Sequence, residues 1–429
     1  MRQIIYLIVF FILTMPLKAG AEEIIKRGES LNLERCIEVA LKIQPAIMAA
    51  MSSTDASKSR IGQAQANYYP QIDWTSSASR SSVGTRTSFG FETRSVTFSS
   101  YSTGVNLNQN IFDFGKTSTQ VKIQRLNYDS SVSDLDNILD QVTFNVKQAY
   151  YGVLQARRNR DVSAESVKQF QQHLDQAKGF YEVGTKPKFD VTKAEVDLSN
   201  AKLNLITAVN AVKLAVSSLN NAMGVPDAPE YEIEDNLSYK KYEMTFEDAV
   251  SKAYETRPDL KSVIAKRESA ERSIDLARKD YFPVLTGTAG YDYAGNEFPL
   301  QKGWNIGATL SFPIFSGFLT KYQVEEAKAN LNVLLANEET LRQTVFLNVR
   351  QAYLNLKDAE EKIPTAELGV KQAEENFEIA NGRYTAGVGN PIEVTDAEVS
   401  LLTSKLSYIQ ALYNYKVSHA SLEKAMGLR

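Results

Sequence analysis

The sequence predicts a mainly α-helical chain of long antiparallel coiled-coil helices that carries two β-hairpins. Three observations predict it: an internal duplication, long runs nearly free of proline, and four segments that alternate with a period of two. With an offset of 203, residues 181–224 overlay 384–427, and 18 of those 44 positions are identical. "VKQAYYGVLQA" at 146–156 matches "VRQAYLNLKDA" at 349–359, and "GVNLNQNIFDFG" at 104–115 matches "GATLSFPIFSG" at 307–317. Further toward the N-terminus the offset becomes 213, with "LNLERCIEVALKIQPAI" (31–47) over "MTFEDAVSKAYETRPDL" (244–260) and "NYYP" (67–70) over "DYFP" (280–283). The chain is therefore one unit written twice, at 31–224 and 244–429, joined by a linker at 225–243.

The duplicated elements follow in order. Residues 1–21 have a basic start at Arg2, a short apolar run and a small-residue stop at Ala19-Gly20-Ala21, the pattern of a cleaved signal peptide. No later run is long and apolar enough for a membrane helix. The single cysteine, Cys36, lies beside Ile37 and Ala40 on an expected helix face and reads as a buried, inert thiol. The net charge of −3 gives no nucleic-acid footprint.

The hairpins are expected at about 71–113 and 284–316, with roughly ten residues per strand, the length of a tilted membrane-spanning strand. From Asn305, the residues Ile306, Ala308, Leu310, Phe312 and Ile314 face one way and polar or small residues the other. Val105, Leu107 and Ile111 share that phase, as do Leu285, Gly287, Ala289, Tyr291 and Tyr293, and in the first strand Ile72, Trp74 and Ala78. Ordinary solvent-exposed hairpins would alternate in the same way. Four strands are too few to close a barrel, so a membrane reading requires several chains.

Helices are expected over 33–68, 115–180, 190–222 and 318–383. A helix of 66 residues spans about 99 Å, and the two shorter runs placed end to end match it. From Val191 a heptad stripe alternates large and small: Val191, Ala194, Leu198, Ala201, Leu205, Ala208, Val212, Ala215, Leu219, Ala222. Its copy starts at Val394. A strict seven-residue repeat supercoils against partner helices.

The duplication, the "YxxGxxxxx[DE]V" turns at Tyr181 and Tyr384, the "YYP" and "YFP" approaches to the strands and the "AMG" endings together resemble the outer-membrane efflux protein family of TolC-like channels. The resemblance covers the chain from about Leu31 onward. It implies a homotrimer in the outer membrane, with a shared 12-stranded transmembrane β-barrel continuous with an α-helical barrel in the periplasm. It further implies a periplasmic adaptor and an inner-membrane transporter as partners, outer-membrane lipid around the strands, no nucleic acid, no cofactor or metal, and no enzymatic chemistry. Carried over by position, it assigns Tyr384, Glu393, Asp396 and Asp190 to a periplasmic gate, and Gly184 and Gly387 to helix-turn tips where an adaptor docks. Glu393 and Asp190 also fit plain helix capping, since Asn390-Pro391-x-Glu393 is a cap, a first-turn proline and a third-position acid. The family's best-known gate carries an arginine where this chain has Gly389.

No nucleophile elbow, metalloprotease, P-loop or dinucleotide motif is present in the sequence, and His173 and His419 are far apart. The competing reading is a structural coiled-coil protein of the envelope without channel activity.

Overall fold

A computed structural model describes residues 25–84 and 95–429. The expected signal peptide, 1–21, lies outside the described residues. The elements run β1 (Ser30–Leu31), α1 (Leu33–Ile43), α2 (Pro45–Gln65), β2 (Gln71–Gly84), β3 (Ser95–Phe112), α3 (Lys116–Glu182) and α4 (Lys188–Met223). They continue with β4 (Glu232–Ile233), α5 (Phe246–Thr256), α6 (Pro258–Arg278), β5 (Val284–Gly295), β6 (Gln301–Ser311), α7 (Leu319–Thr385) and α8 (Pro391–Ala425).

α3 and α7 each contain 67 residues, about 100 Å at 1.5 Å per residue. Pro364 sits inside α7 without ending it. The single helix expected over 33–68 is divided. Gln44 is extended (ψ 120°) and Pro45 opens α2, because proline disfavours a helical predecessor and has no N–H to donate. Arg257 and Pro258 repeat the break between α5 and α6.

The short helices stack in series beside the long ones. The Gln44 side-chain amide donates to the carbonyls of Asn221 (3.2 Å) and Ala222 (3.0 Å), seating the start of α2 on the end of α4. Arg257 donates to the Ala425 carbonyl at 3.1 Å, seating α6 on α8. Four helical columns result, in the order α2/α4, α3, α6/α8, α7. The heptad stripes of α4 and α8 face inward along their whole length: every predicted position is buried or half-buried. The main core lies midway along the columns, around Val146, Tyr150, Leu154, Leu219, Met223, Val349, Leu356 and Leu422. There β1 and β4 pair in parallel and the Tyr150 hydroxyl donates to the Glu234 carbonyl at 2.6 Å. Cys36 belongs to this core, and burial pushes its thiol up to about 12.

The hairpins join into one antiparallel sheet of order β2-β3-β5-β6. Its register carries a single apolar face across all four strands. Ile72, Leu107, Ala289 and Ile306 form one row, and Trp74, Val105, Tyr291 and Trp304 the next. Asp73, Asn106, Gly290 and Asn305 form a row of the opposite, polar face. On β6 the apolar face runs from Trp304 to Leu310, roughly 20 Å at about 3.4 Å per residue. β2 and β3 have 14 and 18 residues rather than about ten, and the excess, rich in serine and threonine, extends past the aromatic row. β6 ends at Ser311, so Phe312 and Ile314 lie beyond the strand they were expected to continue. Ile111 is the extra residue of a bulge between Asn110 and Phe112, where the register shifts.

Both layers leave their unpaired edges on the same sides. β2 follows α2 at one edge; β6 leads into α7 at the other. The outermost helices expose apolar residues: Val196, Leu203, Ile206 and Leu214 on α4, and Leu347, Leu354, Leu368 and Ile379 on α7.

Candidate functional site at the helix turns

The end remote from the sheet holds the two turns of the duplicated phrase. Gly184 and Gly387 adopt φ of +77° and +80°, and their amides bond to the carbonyls of Tyr181 and Tyr384, both at 3.0 Å. Nothing would crowd a side chain at either position, so glycine is required there by the left-handed backbone alone. Gly389 is the reverse case. A Cβ there would lie 2.6 Å from the Tyr384 amide nitrogen, so this turn excludes any side chain at that position, arginine included. The Arg383 carbonyl accepts from both Val388 (3.1 Å) and Gly389 (2.9 Å) to lock the conformation.

α8 starts by the expected capping chemistry. The Asn390 side chain accepts from the Ile392 amide at 3.0 Å, Pro391 is the first helical residue and Glu393 the third. Asp190 holds the corresponding third position of α4.

The four residues assigned to a gate divide into two pairs. Glu393 and Asp396 are exposed, and Glu393 lies 3.7 Å from the Arg383 guanidinium. Tyr384 and Asp190 are buried, at 0% and 5% exposure. In the single chain these two occupy the seam between the α3–α4 and α7–α8 pairs. The Tyr384 ring centre lies 4.9 Å from His173 and 5.6 Å from Phe180.

This seam contains polar groups that sequence reasoning did not select. Lys193 contacts both carboxylate oxygens of Asp197 at 2.6 Å, and Thr395 donates to Asp197 at 3.0 Å across the helix pairs. Glu398 is 1% exposed, and burial, reinforced by the nearby Asp197 charge, raises its carboxyl to about 8. Burial lowers His173, outweighing the Asp197 and Asp190 charges that favour its protonation. Among the described residues, the buried Glu398 Oε1, His173 Nδ1 and Tyr384 hydroxyl have no hydrogen-bond partner. The seam thus combines bonded polar groups, Lys193, Asp197 and Thr395, with a buried glutamate, histidine and tyrosine. The sequence held no signal for it. Glu195 repeats the Ala-Glu-Val context of Glu398 yet is exposed.

The outer membrane efflux protein family model matches residues 36–225 and 249–428. The probable outer membrane lipoprotein SilC of Salmonella typhimurium is 25% identical over 93% of this chain and 84% of its own length. The outer membrane protein TolC of Escherichia coli K12 is 23% identical over 93% of this chain and 83% of its own. The crystal structure of the outer membrane protein VceC from Vibrio cholerae superposes with a TM-score of 0.78 at 18% identity, covering 92% of this chain and 96% of that one. Matched through both of its repeats, the chain belongs to the outer membrane efflux protein family.

Proposed function

We propose that three copies of this outer-membrane efflux channel close a 12-stranded β-barrel above a 12-column helical tube, and that the tube is the exit duct of a tripartite efflux pump or type I secretion system. The coincidence of open edges carries this reading. β2 and β6 offer unpaired backbone at the two sides of the sheet, and apolar stripes on α4 and α7 lie at the same two sides of the helical layer. One head-to-tail contact would cover both, and a rotation that closes it leaves no edge. Four strands from each of three chains give twelve, within the range of closed outer-membrane barrels.

In this assembly the apolar sheet face meets outer-membrane lipid and the polar face lines water. The turns around Gly184 and Gly387 form the periplasmic end, where a periplasmic adaptor docks and hands over cargo from an inner-membrane transporter. Glu393 and Asp396 place six carboxylates around that end. The conduit moves solutes passively and needs no cofactor.

The test is assembly. Native mass spectrometry of the detergent-extracted protein should give three copies, and Leu203→Asp with Leu354→Asp should shift it to monomer. A dimer or tetramer, or a trimer indifferent to both substitutions, would refute the proposed contact.

A further inference from the structure

A cleft of about 400 Å³ lies between α3 and α6 directly beneath the sheet, bordered by Phe114, Lys122, Arg272, Asp275, Arg278 and Lys279. Contacts trace it to the apolar side. Phe112 pairs with Leu285 at the lower end of the apolar face. Its ring centre lies 4.7 Å from Phe114, which stacks on Phe282 at 5.4 Å. Those two phenylalanines form one wall of the cleft. The separate cleft bordered by Asn110 and Val284, residues of the polar face, takes Thr117, Gln120 and Gln124 from the other side of α3.

The cleft holds four cations against one carboxylate. Arg272 and Arg278 share Asp275 at 3.5 and 3.8 Å, and Lys279 donates to the Phe114 carbonyl at 2.8 Å. Lys122 is exposed and has no ion pair among the described residues. The duplication does not require this charge. The positions matching Lys122, Arg272, Arg278 and Lys279 in the other repeat are Glu325, Ser59, Gln65 and Ala66. The excess charge therefore belongs to one groove of each chain and not to the repeated architecture.

We propose that this cleft binds the headgroup phosphate of an anionic phospholipid in the periplasm-facing leaflet. The inference rests on the membrane reading of the apolar face. Acyl chains lie on the Leu285–Leu310 rows, the stacked phenylalanines stand at the interface, and the cations meet the phosphate one helical turn or two below. An anionic headgroup is favoured over a zwitterionic one because a choline or ethanolamine cation would meet the same guanidinium groups.

The delipidated trimer, titrated with phosphatidylglycerol or with phosphatidylcholine of the same acyl chains, reports binding by native mass spectrometry. The wild type should prefer phosphatidylglycerol by more than about tenfold, and Lys122→Gln alone should reduce that preference by roughly three- to fivefold. The Lys122→Gln/Arg272→Gln/Arg278→Gln variant should bind both lipids alike while keeping its oligomeric state. Should the triple variant not assemble, the single variant decides. Equal binding by the wild type, an unchanged preference in either variant, or displacement of the lipid by inorganic phosphate below millimolar concentration would each overturn the proposal. Failure of the wild type to insert into vesicles would instead remove the membrane reading beneath it.

Discussion

The Lys186 ammonium donates to the Gly389 carbonyl at 3.2 Å, joining the two turns through residues that hold the same place in the duplication. Lys186 also lies 5.6 Å from the centre of the Tyr384 ring. Gly389 thus takes part through its backbone carbonyl, and the cation comes from the other turn. Lys186→Met should loosen this link by about 1–2 kcal/mol. Gly389→Ala should act more strongly, because its Cβ collides with backbone and not with a movable side chain. Both should raise single-channel conductance in planar bilayers, Gly389→Ala the more. Closed-state conductance unchanged in both would show that the turns do not restrict flow.

The buried seam makes pH a variable. Glu398 has a folded value near 8, above its ordinary 4.5. Its contribution to the closed seam is therefore fully present below about pH 4.5 and is lost as pH rises through 8, at up to ~1.4 kcal/mol per pH unit. His173 is depressed, so its contribution is present above its ordinary 6.5 and lost as pH falls through the lowered value. Hydrogen exchange of the α8 amides near Glu398 should speed up between about pH 5 and 8, beyond its intrinsic pH dependence, and level off above that range. Glu398→Gln should abolish that excess, and an unaltered profile in the variant would disprove the assignment.

Glu393 and Asp396 are exposed and should make the pore cation-selective, with block by multivalent cations from the periplasmic side. Asp396→Ala should relieve more of the block than Glu393→Ala, since Arg383 already offsets part of the Glu393 charge at 3.7 Å. Glu393→Ala should also lower helix stability by roughly 0.5–1 kcal/mol through its first-turn position. Reversal potentials in a potassium chloride gradient provide the measurement, and an anion-selective wild type would contradict the mouth assignment.

Ile306 and Asn305 are neighbours on β6 that face opposite sides of the sheet. Ile306→Arg should cost about 2–4 kcal/mol if the site is near mid-membrane, with outer-membrane yield falling accordingly. Asn305→Arg should assemble normally and alter conductance. Leu310, one residue from the end of β6, should tolerate arginine at about 1 kcal/mol or less. Equal yields for Ile306→Arg and Asn305→Arg would argue against lipid on the apolar face.

The sequence made the large features legible because they are periodic. A heptad stripe or a two-residue alternation repeats its message many times, so the inward positions of α4 and the apolar phase of β6 could be read directly. Pro45 illustrates a local rule overriding a periodic one, since an unbroken pattern from 33 to 68 is cut by a single missing N–H. The seam was illegible for a different reason. Glu195 and Glu398 stand in the same tripeptide, and only the approach of another helix pair decides which is buried. The motif places Tyr384 at the turn but does not reveal that its ring packs against His173.

β3 sits between β2, a near neighbour in the chain, and β5, whose first residue comes 172 positions after the last of β3. During synthesis the first hairpin is complete long before its second partner exists. Its inner edge then presents a row of unsatisfied amides and carbonyls beside exposed Val105 and Ile111, a template for pairing with the wrong chain. Closing that gap brings a large loop-entropy cost before any contact rewards it, so sheet formation is slow compared with zipping of the adjacent helices. The half-chain that looks self-sufficient as a repeat is thus a poor folding unit. Truncation after α4 should yield aggregates.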